Sequence, residues 1–364
     1  SSTVRYALVG IGAAIAPLHL KAIEGLEDAV LAGASDLVPS GRAAARAEAA
    51  GCPLFADHRE LLRAVSPDVV VVCTPHPSHA LVTVDALRAE AHVLVEKPLA
   101  DEVAAADRMV EAAAAAGRVL AVNFQQRFRP SVERAREAVG NLGPLVRVSC
   151  SEPWFRTAAY YASAGWRGTW EGEGGGVLLN QAPHTLDLLV HLAGMPVRAW
   201  GWTRTRRHRI EVEDSAMAML EFANGAPGSF STSTVEAGSP RRLEVVGERG
   251  SLELVGDRLT VRSFAVPLDE FSAGSPEPFA EPPASGESLD LPGDGGGHLA
   301  VHRDLLESIA SGRPPRCDGA AALGSLELAN AIALSSHLEA PVPLPLDRAA
   351  YAAFLAGKRA GSVA

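Results

Sequence analysis

Lysine is scarce in this sequence of 364 residues, and so are aromatic side chains, long apolar runs and paired cysteines. Only three of the 33 basic residues are lysines, so arginine supplies almost every positive charge. No stretch approaches the roughly 20 apolar residues that a membrane-spanning helix needs. The four cysteines show no spacing typical of disulfides or metal sites; they are Cys52, Cys73, Cys150 and Cys317. These shortages argue against a membrane span, a disulfide scaffold and a cysteine-based metal centre.

The charge balance disfavours polyanionic partners. Acidic residues outnumber basic ones by 43 to 33, a net charge of −10 that repels nucleic acid phosphates and anionic lipid. The first five residues run directly into a strand pattern, so we expect no signal peptide and a cytoplasmic location. A chain of this length and ordinary apolar content is expected to form two domains.

The first 122 residues alternate short β-branched runs with alanine-rich helical stretches. Runs as apolar as Val69–Val72 suit strands that are buried on both faces, as in a parallel sheet. We therefore predict an α/β domain over residues 1–122, with a doubly wound parallel sheet. The predicted strands are 6–9, 30–35, 69–73, 92–95 and 119–122, and the predicted helices are 15–25, 40–50, 77–90 and 100–117.

Residues 123–364 have a different pattern. Turn signals such as Asn224-Gly225 separate alternating strands, which indicates antiparallel hairpins. We predict an α+β domain with an open, mostly antiparallel sheet, a long exposed loop over 265–297 and a short closing tail. Its predicted helices are 131–140, 177–193, 298–311 and 320–337, and its predicted strands are 145–151, 197–207, 214–223, 228–235, 241–246, 251–255 and 258–263.

A glycine turn follows the first predicted strand. Gly10 and Gly12 would let the backbone approach a pyrophosphate at a helix start, although the third fingerprint position is Ile15. Asp36 closes the second strand at a spacing typical of the carboxylate that binds the adenosine ribose. The alternative is an ordinary tight turn with Asp36 as a helix cap. We interpret the pattern as an NAD site; NADP stays possible because Arg42 lies nearby in sequence.

Lys97 follows the apolar strand at 92–95 and precedes Pro98. This position is the carboxyl edge of a parallel sheet, where open α/β folds bind ligands. A partly desolvated lysine can take part in proton transfer there, whereas an average lysine would be a surface residue. Because lysine is so rare in this chain, we interpret Lys97 as a residue kept for its chemistry.

A second polar cluster lies in an otherwise apolar predicted helix. Asn180, His184, Asp187 and His191 recur at helical spacing and would share one face. Such a stripe either forms a satisfied core network or faces a cleft. His184 could act as a general acid or base, and Asn180 could orient a hydroxyl. Pro183 fits only near a helix start, so Asn180 is expected in an irregular first turn.

Two further histidine pairs are weaker candidates. His298 and His302 have i, i+4 spacing and could ligate a metal, but no carboxylate or cysteine completes a ligand set, so we predict no metal site. His76 and His79 follow the valine-rich strand and are interpreted as supporting residues beside the cofactor.

Together these motifs resemble the Gfo/Idh/MocA family of nicotinamide-dependent oxidoreductases, over nearly the whole chain. Val72–Pro75 with His79 is similar to a family motif beside the cofactor, and Glu96–Pro98 matches its EKP signature, whose lysine is catalytic. Trp166–Gly168 and the run Gly174–Asp187 match its second-domain signature, in which positions 180 and 184 face the nicotinamide. Many inositol dehydrogenases of the family carry Asp where this chain has Asn180.

The resemblance implies a Rossmann domain and a set of site residues. The implied cofactor-binding residues are Gly10, Gly12, Ala14, Ile15, Asp36, Thr74, Pro75, His79, Glu96, Lys97, Trp166 and Arg167. The implied substrate-binding residues are Lys97, Arg127, Tyr160, Tyr161, Trp166, Asn180 and His184. Of these, Lys97, His184 and Asn180 are assigned to catalysis.

The function implied is an NAD(P)-dependent dehydrogenase acting on a secondary hydroxyl of a sugar, sugar derivative or cyclitol. The alternatives on the same fold are a glycosidase that uses NAD as a transient redox aid and a sugar sensor that binds a dinucleotide without catalysis. A homodimer or homotetramer formed through the second-domain sheet is also expected from the family. We predict neither nucleic acid nor membrane partners.

Overall fold

The computed structural model describes residues 2–361, which form two β-sheets and their covering helices. The chain divides into two compact units. The first unit contains the chain through Gln125, Glu171–Gly174 and Gly296–Leu326, and the second contains Gln126–Trp170, Gly175–Gly295 and the chain from Glu327 onward. The sequence pattern did not show that two later segments join the first unit. The domain boundary at residue 122 stays a prediction.

The first unit is built on a parallel sheet of six strands in the order β3-β2-β1-β4-β5-β6. This is the strand order of the Rossmann fold, and it confirms the predicted doubly wound sheet. Its strands are β1 Val4–Val9, β2 Ala29–Ser35, β3 Leu54–Phe55, β4 Val69–Val72, β5 His92–Val95 and β6 Leu120–Val122. Its first helices are α1 Ala16–Glu24, α2 Arg42–Ala50, α3 His58–Val65, α4 His79–Arg88 and α5 Val103–Ala116.

Burial explains why these strands occupy the middle of the unit. All four valines of β4 are inaccessible to solvent, and the adjacent β1 and β5 are nearly as deeply buried. Successive strands are added on one side of β1 as far as β3 and on its other side from β4 onward, so the loops after β1 and β4 diverge and leave a crevice at the carboxyl edge. The Gly10 turn, the loop after β4 and Lys97 after β5 all lie on this edge.

The second unit contains a nine-stranded sheet in the order β14-β13-β12-β11-β7-β10-β9-β8-β15. The pairing of β7 with β10 is parallel and the other pairings are antiparallel, as predicted for the mostly antiparallel sheet. The strands are β7 Leu145–Pro153, β8 Arg198–Arg204, β9 Ser215–Glu221, β10 Pro227–Ser233, β11 Arg242–Gly247, β12 Gly250–Val255, β13 Arg258–Phe264, β14 Ala284–Asp290 and β15 Val342–Pro343.

One face of this sheet is buried and the other is not. Burial alternates along β9, β11 and β12, as expected when helices cover one side. The remaining helices are α6 Pro130–Val139, α7 Ala158–Ala162, α8 Trp170–Glu173, α9 Val177–Asn180, α10 Pro183–Ala193, α11 Leu268–Gly274, α12 Gly297–Ser311, α13 Gly319–Leu338 and α14 Arg348–Gly361. Helix α10 packs on β7, and α6 packs on β12.

Two segments predicted to be irregular are ordered elements, and those predictions are wrong. The exposed loop over 265–297 contains α11 and the strand β14, whose polar side chains are almost all exposed. A strand held at an edge by backbone hydrogen bonds to β13 has no apolar alternation to reveal it. The closing tail contains α14, which buries Tyr351, Phe354 and Leu355.

Two other predictions from the chain pattern need correction. The short strand β3 was missed because its two half-buried residues give little periodic signal, and the helix α3 was missed although Asp57 caps it and Leu61, Leu62 and Val65 mark its buried face. The single helix over 177–193 is in fact two helices, α9 and α10, because Pro183 has no backbone N–H to continue the first one. No helix among residues 2–361 is both long and apolar enough to cross a membrane.

Candidate functional site

Gly10 and Gly12 form a tight turn directly after β1. Gly10 has a φ of 89°, in the left-handed region that favours glycine, and a Cβ there would lie 2.9 Å from the carbonyl carbon of Cys73. A Cβ at Gly12 would lie 2.7 Å from a carboxylate oxygen of Asp36. Neither position has room for a side chain. The turn therefore presents bare backbone where a dinucleotide pyrophosphate approaches a Rossmann domain, and it fits NAD in this respect.

Asp36, which follows β2, fastens this turn. Its Oδ2 accepts a hydrogen bond from the backbone N–H of Gly12 at 2.8 Å, and its Oδ1 accepts one from Val38 at 3.0 Å. A carboxylate has further acceptor sites beyond these two bonds. Asp36 is thus held beside the turn with the capacity to accept hydrogen bonds from ribose hydroxyls.

The start of α1 completes the cofactor side of the turn. Ile15 occupies the N-cap position without a side-chain cap, and Ala14 precedes it. The Ala16 N–H donates to the carbonyl oxygen of Ala13 and Pro17 has no N–H, so the glycine turn itself offers the bare backbone. Arg46 of α2 holds the turn from behind, since its Nη1 donates to the carbonyl oxygens of Ile11 at 2.8 Å and Ala13 at 2.6 Å.

The loop after β4 carries Thr74 and Pro75, and the buried His79 opens α4. The ring nitrogens of His79 each lie 2.8 Å from a carbonyl oxygen, one of Thr74 and the other of Pro98. His79 thereby links the loops after β4 and β5. Burial lowers the pKa of the neighbouring His76 to about 3, so this imidazole is neutral at physiological pH.

Lys97 lies half-buried at the carboxyl end of β5, directly after the buried Glu96. The Glu96 carboxylate accepts hydrogen bonds from the backbone N–H of Lys97 at 3.2 Å and from Asn123 Nδ2 at 2.6 Å. Burial acts to raise the pKa of Glu96, but the hydrogen bond from His19 and the nearby imidazole and ammonium groups, Lys97 among them, lower it to about 2. A fixed negative charge therefore accompanies Lys97.

His298 does have a carboxylate neighbour, contrary to the expectation from the spacing of His298 and His302, whereas His302 contacts His19. Glu96 Oε1 lies 2.7 Å from His19 Nε2 and 4.0 Å from His298 Nε2. The donor atoms of these three residues lie within 4.8 Å of one another. Because the carboxylate and the third imidazole come from β5 and α1, sequence spacing could not show this cluster. The absence of a metal stays a prediction.

In the second unit, Glu213 fixes the backbone before the predicted catalytic segment. Its Oε1 accepts hydrogen bonds from Gly176 N–H at 3.0 Å and Leu178 N–H at 3.1 Å, and its carbonyl accepts one from Val177. A Cβ at Gly176 would lie 1.9 Å from that carbonyl oxygen. The glycine-rich run is therefore needed for close backbone contact here, and Glu213 caps α9.

Asn180 ends α9 in a network centred on a tyrosine hydroxyl. Tyr160 Oη accepts hydrogen bonds from Asn180 Nδ2 at 2.9 Å, Gln181 Nε2 at 3.2 Å and Arg167 Nη1 at 2.8 Å. The guanidinium of Arg167 also lies over the Tyr160 ring at 4.4 Å and over the Trp166 ring at 4.7 Å. The structure thus brings together four residues that the sequence assigned to cofactor or substrate binding, and Gln181 with them.

His184 lies in the first turn of α10, with 8% of its surface exposed. Its ring stacks near Trp154, with centroids 6.5 Å apart. Trp154 Nε1 donates to Thr185 Oγ1 at 3.1 Å. Tyr161, another predicted substrate residue, bonds instead to Thr234 at 2.9 Å. Trp154 was missed in the sequence, where it gives no periodic signal.

Asp187 and Arg127 form a buried ion pair. Arg127 Nε and Nη2 donate to the two carboxylate oxygens at 2.8 and 2.7 Å, and the side chains are 6% and 2% exposed. Burial raises the pKa of Asp187, and Arg127 opposes that shift. Burial, together with Arg127 and Arg136, lowers the pKa of the nearby His191 to about 3. The expected contact of Arg127 with substrate stays a prediction.

Two sequence profiles of known families match the chain. Residues 4–124 match the profile of an oxidoreductase family with an NAD-binding Rossmann fold, and residues 132–253 match the Gfo/Idh/MocA C-terminal domain. The matched ranges cover the glycine turn, Lys97, Asn180 and His184. The family, the oxidoreductase class and the NAD cofactor predicted from the motifs are confirmed.

Similar proteins are known as sequences and as structures. The chain is 30% identical over 231 residues to inositol 2-dehydrogenase of Rubrobacter xylanophilus, a match covering 62% of this chain and 64% of that enzyme. It is 31% identical over 247 residues to D-glucoside 3-dehydrogenase of Escherichia coli, covering 62% and 68%.

A solved structure matches over a longer span. The WlbA dehydrogenase of Chromobacterium violaceum, in complex with NADH and UDP-GlcNAcA, has a TM-score of 0.83 and 29% identity, covering 95% of this chain and 97% of that one. The Rossmann strand order of the first unit, the two signature segments of the sequence and both family profiles lead to one conclusion. The chain belongs to the Gfo/Idh/MocA family of oxidoreductases, and its first domain is an NAD-binding Rossmann domain.

Proposed function

We propose that this protein is an NAD-dependent dehydrogenase that oxidises a secondary hydroxyl of a sugar, sugar derivative or cyclitol. The observation that carries the proposal is the position of Lys97, half-buried beside the Glu96 carboxylate on the same sheet edge as the Gly10 turn and Asp36. The relatives add weight, because their names describe oxidation of inositol and of a glucoside.

The residues of the chain divide between holding the cofactor and handling a proton. The Gly10–Ile15 turn and Asp36 would hold the dinucleotide, and Thr74, Pro75 and His79 would line its edge. NAD, when bound, supplies a hydride acceptor for the carbinol carbon. Asp36 favours NAD over NADP, because its carboxylate would repel the additional phosphate.

We assign three roles at the substrate hydroxyl. His184 accepts the proton from the hydroxyl as it is oxidised, since an imidazole titrates near neutral pH. Lys97 hydrogen-bonds the same oxygen and stabilises the charge that develops on it. Asn180 cannot take a proton, so it orients the substrate, and its bond to Tyr160 fixes the amide in place.

Polar and aromatic groups of the second unit suit a hydroxyl-rich substrate. Trp166 is 42% exposed, and Tyr160 and Arg167 lie against each other beside it. Aromatic faces and fixed N–H donors together match the apolar faces and hydroxyl groups of a sugar ring. This composition supports a sugar or cyclitol rather than a purely apolar alcohol.

The proposal also includes a homodimer or homotetramer formed through the open sheet of the second unit. On β8 and β9, Trp202 lies directly opposite Met217 and Trp200 opposite Met219. Trp202, Met217 and Met219 are 39%, 55% and 52% exposed, so large apolar side chains form a contiguous patch on that face. Such patches are typical of protein interfaces.

The test follows reduction of NAD and NADP at about 340 nm, with inositols, aldoses and glycosides as substrates. Lys97→Ala and His184→Ala should each lower kcat by roughly 100- to 10,000-fold, the usual contribution of acid–base groups, while the Kd for NADH stays within a few-fold. The exposed Lys21→Ala on α1 is the matched control and should retain full activity.

Each contrary outcome points elsewhere. Wild-type turnover in either variant would refute the assigned roles. Hydrolysis of a glycoside without net change in NAD would identify the glycosidase alternative, and tight NADH binding without turnover of any substrate would identify a sensor.

A further inference from the structure

A hydrogen-bonded row of four polar side chains runs through the interior of the first unit. It consists of Tyr6 on β1, His302 on α12, His19 on α1 and Glu96 at the end of β5. The successive contacts are 3.2 Å from Tyr6 Oη to His302 Nδ1, 2.9 Å from His302 Nε2 to His19 Nδ1 and 2.7 Å from His19 Nε2 to Glu96 Oε1. Tyr6 and both histidines are inaccessible to solvent, and Glu96 is 7% exposed.

The position of each proton in this row follows from the residues at its two ends, Tyr6 and Glu96. Burial raises the pKa of Tyr6, so its hydroxyl keeps its proton. A buried O–H is costly unless it donates, and His302 Nδ1 is the acceptor within reach. Burial, followed by the neighbouring histidines, lowers the pKa of His302, so its ring is neutral. With Nδ1 accepting, the single ring proton of His302 must lie on Nε2.

The same logic fixes His19. His302 Nε2–H donates to His19 Nδ1, so His19 carries its proton on Nε2 and donates it to Glu96. All four residues are thereby hydrogen-bonded, with each donor directed toward Glu96. Hydrogen bonds aligned in this manner polarise one another, and the chain ends on the Glu96 carboxylate.

Glu96 is thus a buried anion that three donors hold. They are His19 Nε2–H, Asn123 Nδ2 and the backbone N–H of Lys97. A buried carboxylate without such donors takes up a proton instead of keeping its charge. The negative charge beside Lys97 therefore depends on His19, and the orientation of His19 depends on His302.

We propose that His19 and His302 are positioning residues that act on Lys97 through Glu96: by holding Glu96 as a fixed anion, they keep the Lys97 side chain protonated for its bond to the reacting oxygen. The proposal rests on the function assigned above only in naming that oxygen. The network itself is a property of the first unit, and it can be measured without turnover.

Other titratable groups near Glu96 and Lys97 do not compete for this role. Burial raises the pKa of Cys73 well above its usual value, and burial lowers the pKa of His76 to about 3 and that of His79 below its usual value. The groups facing Glu96 and Lys97 from the packed elements are His19 on α1, Cys73, His76 and His79 after β4, and His298 and His302 on α12.

The donor atoms of His19, Glu96 and His298 are also close enough to suggest a metal site. The proton arrangement inferred above argues against that interpretation. It places a proton on His19 Nε2, directed at Glu96, where a metal would need a free lone pair. A metal would require the tautomers of both His19 and His302 to reverse, which would leave the Tyr6 hydroxyl without its acceptor.

The scarcity of lysine makes a direct test possible. With only Lys21, Lys97 and Lys358 in the chain, NMR of protein labelled at the lysine side chains gives three signals, and Lys97→Ala assigns the one of interest. Glu96→Gln removes the anion, so the titration midpoint of Lys97 should fall by roughly one pH unit or more. His19→Ala should lower it in the same direction, because Glu96 then loses its main donor.

Two variants separate the charge effect from loss of folding. His19→Gln retains an N–H that can reach Glu96, so it should restore most of the wild-type midpoint. His58→Ala on α3 removes a histidine that bonds a different carboxylate, Asp85, and should leave the midpoint unchanged. If His19→Ala does not fold, Glu96→Gln and His19→Gln still decide the matter.

Three results would overturn the proposal. They are an unchanged Lys97 midpoint in Glu96→Gln, ¹⁵N shifts that place the proton of His19 or His302 on Nδ1, and one equivalent of transition metal in the purified protein that is lost in His19→Gln. In an active enzyme, the alkaline limb of the pH profile of kcat should shift together with the titration midpoint of Lys97. A shifted midpoint in a protein without dehydrogenase activity would leave the network in place and refute the proposed function alone.

Discussion

The buried pair of Arg127 and Asp187 makes a quantitative prediction about stability. Both contacts of the bidentate pair are 2.8 Å or shorter, and both side chains are almost fully buried. Arg127→Ala leaves the Asp187 carboxylate in the interior without its counter-ion. Removing one partner of such a pair costs about 3–5 kcal/mol, because the remaining charge is desolvated and uncompensated.

The pH dependence of this loss has a definite sign. Burial already raises the pKa of Asp187 in the wild type, and removing the opposing Arg127 raises it further. The folded variant therefore holds a proton that the unfolded chain, with an Asp pKa near 3.9, releases. Stability falls as pH rises from that value through the folded pKa. The deficit relative to wild type should be greater at pH 8 than at about pH 5.

Asp187→Asn provides the contrast. This variant leaves the Arg127 guanidinium buried without its counter-ion, and a guanidinium does not lose its proton in proteins. The stability deficit of Asp187→Asn should therefore not shrink at low pH. A double variant, Arg127→Met with Asp187→Leu, removes both charges and should recover most of the stability. Urea unfolding followed by circular dichroism at several pH values measures all three. A deficit below about 1 kcal/mol for Arg127→Ala, or one independent of pH, would refute the reasoning.

Two further predictions concern the cofactor and the assembly. Asp36→Ala removes a carboxylate that accepts the Gly12 N–H and that is proposed to bind the ribose. The KM for NAD should therefore rise by about 10- to 100-fold, and the preference for NAD over NADP should weaken. An unchanged KM for NAD in steady-state kinetics would contradict this prediction. Met217→Lys places a charge beside Trp202 and should shift the mass measured by light scattering toward that of the monomer. The control Phe279→Lys, at a 96% exposed position outside that patch, should leave the mass unchanged. Equal masses for the wild type and both variants would contradict the proposed interface.

The sequence predicted the elements that carry strong periodic or apolar signals. Strands such as β4 and β5 were located to within a residue because four consecutive valines, or a β-branched run between turn signals, fit few other structures. Among the elements that were missed, which include β3, α3 and α14, β14 is set by tertiary context. The side chains of β14 are polar and exposed, so only its backbone pairing with β13 makes it a strand.

The candidate site shows the same division. The sheet-edge positions of Lys97, the Gly10 turn and Asp36 were predictable because glycine turns and strand ends have recognisable local sequences, and the roles of these residues stay predictions. The carboxylate–histidine cluster was not, since His19 and Glu96 meet His302 only after α12 packs against α1. A lone histidine in the apolar sequence of α1 was the available signal, and without a partner in view it had no interpretation.

Buried carboxylates explain how each unit fixes its chemical groups. Glu96 receives the donors that surround Lys97, Glu213 binds the N–H groups that start α9 before Asn180, and Asp187 holds Arg127 beneath α10. Burying a charge is costly, so a sequence under selection for stability alone would replace such groups by apolar ones. Their presence on the segments that carry the proposed catalytic residues indicates that stability is given up there for fixed orientation. The double variant Arg127→Met with Asp187→Leu, which removes both charges, should accordingly lose turnover while it keeps most of its stability.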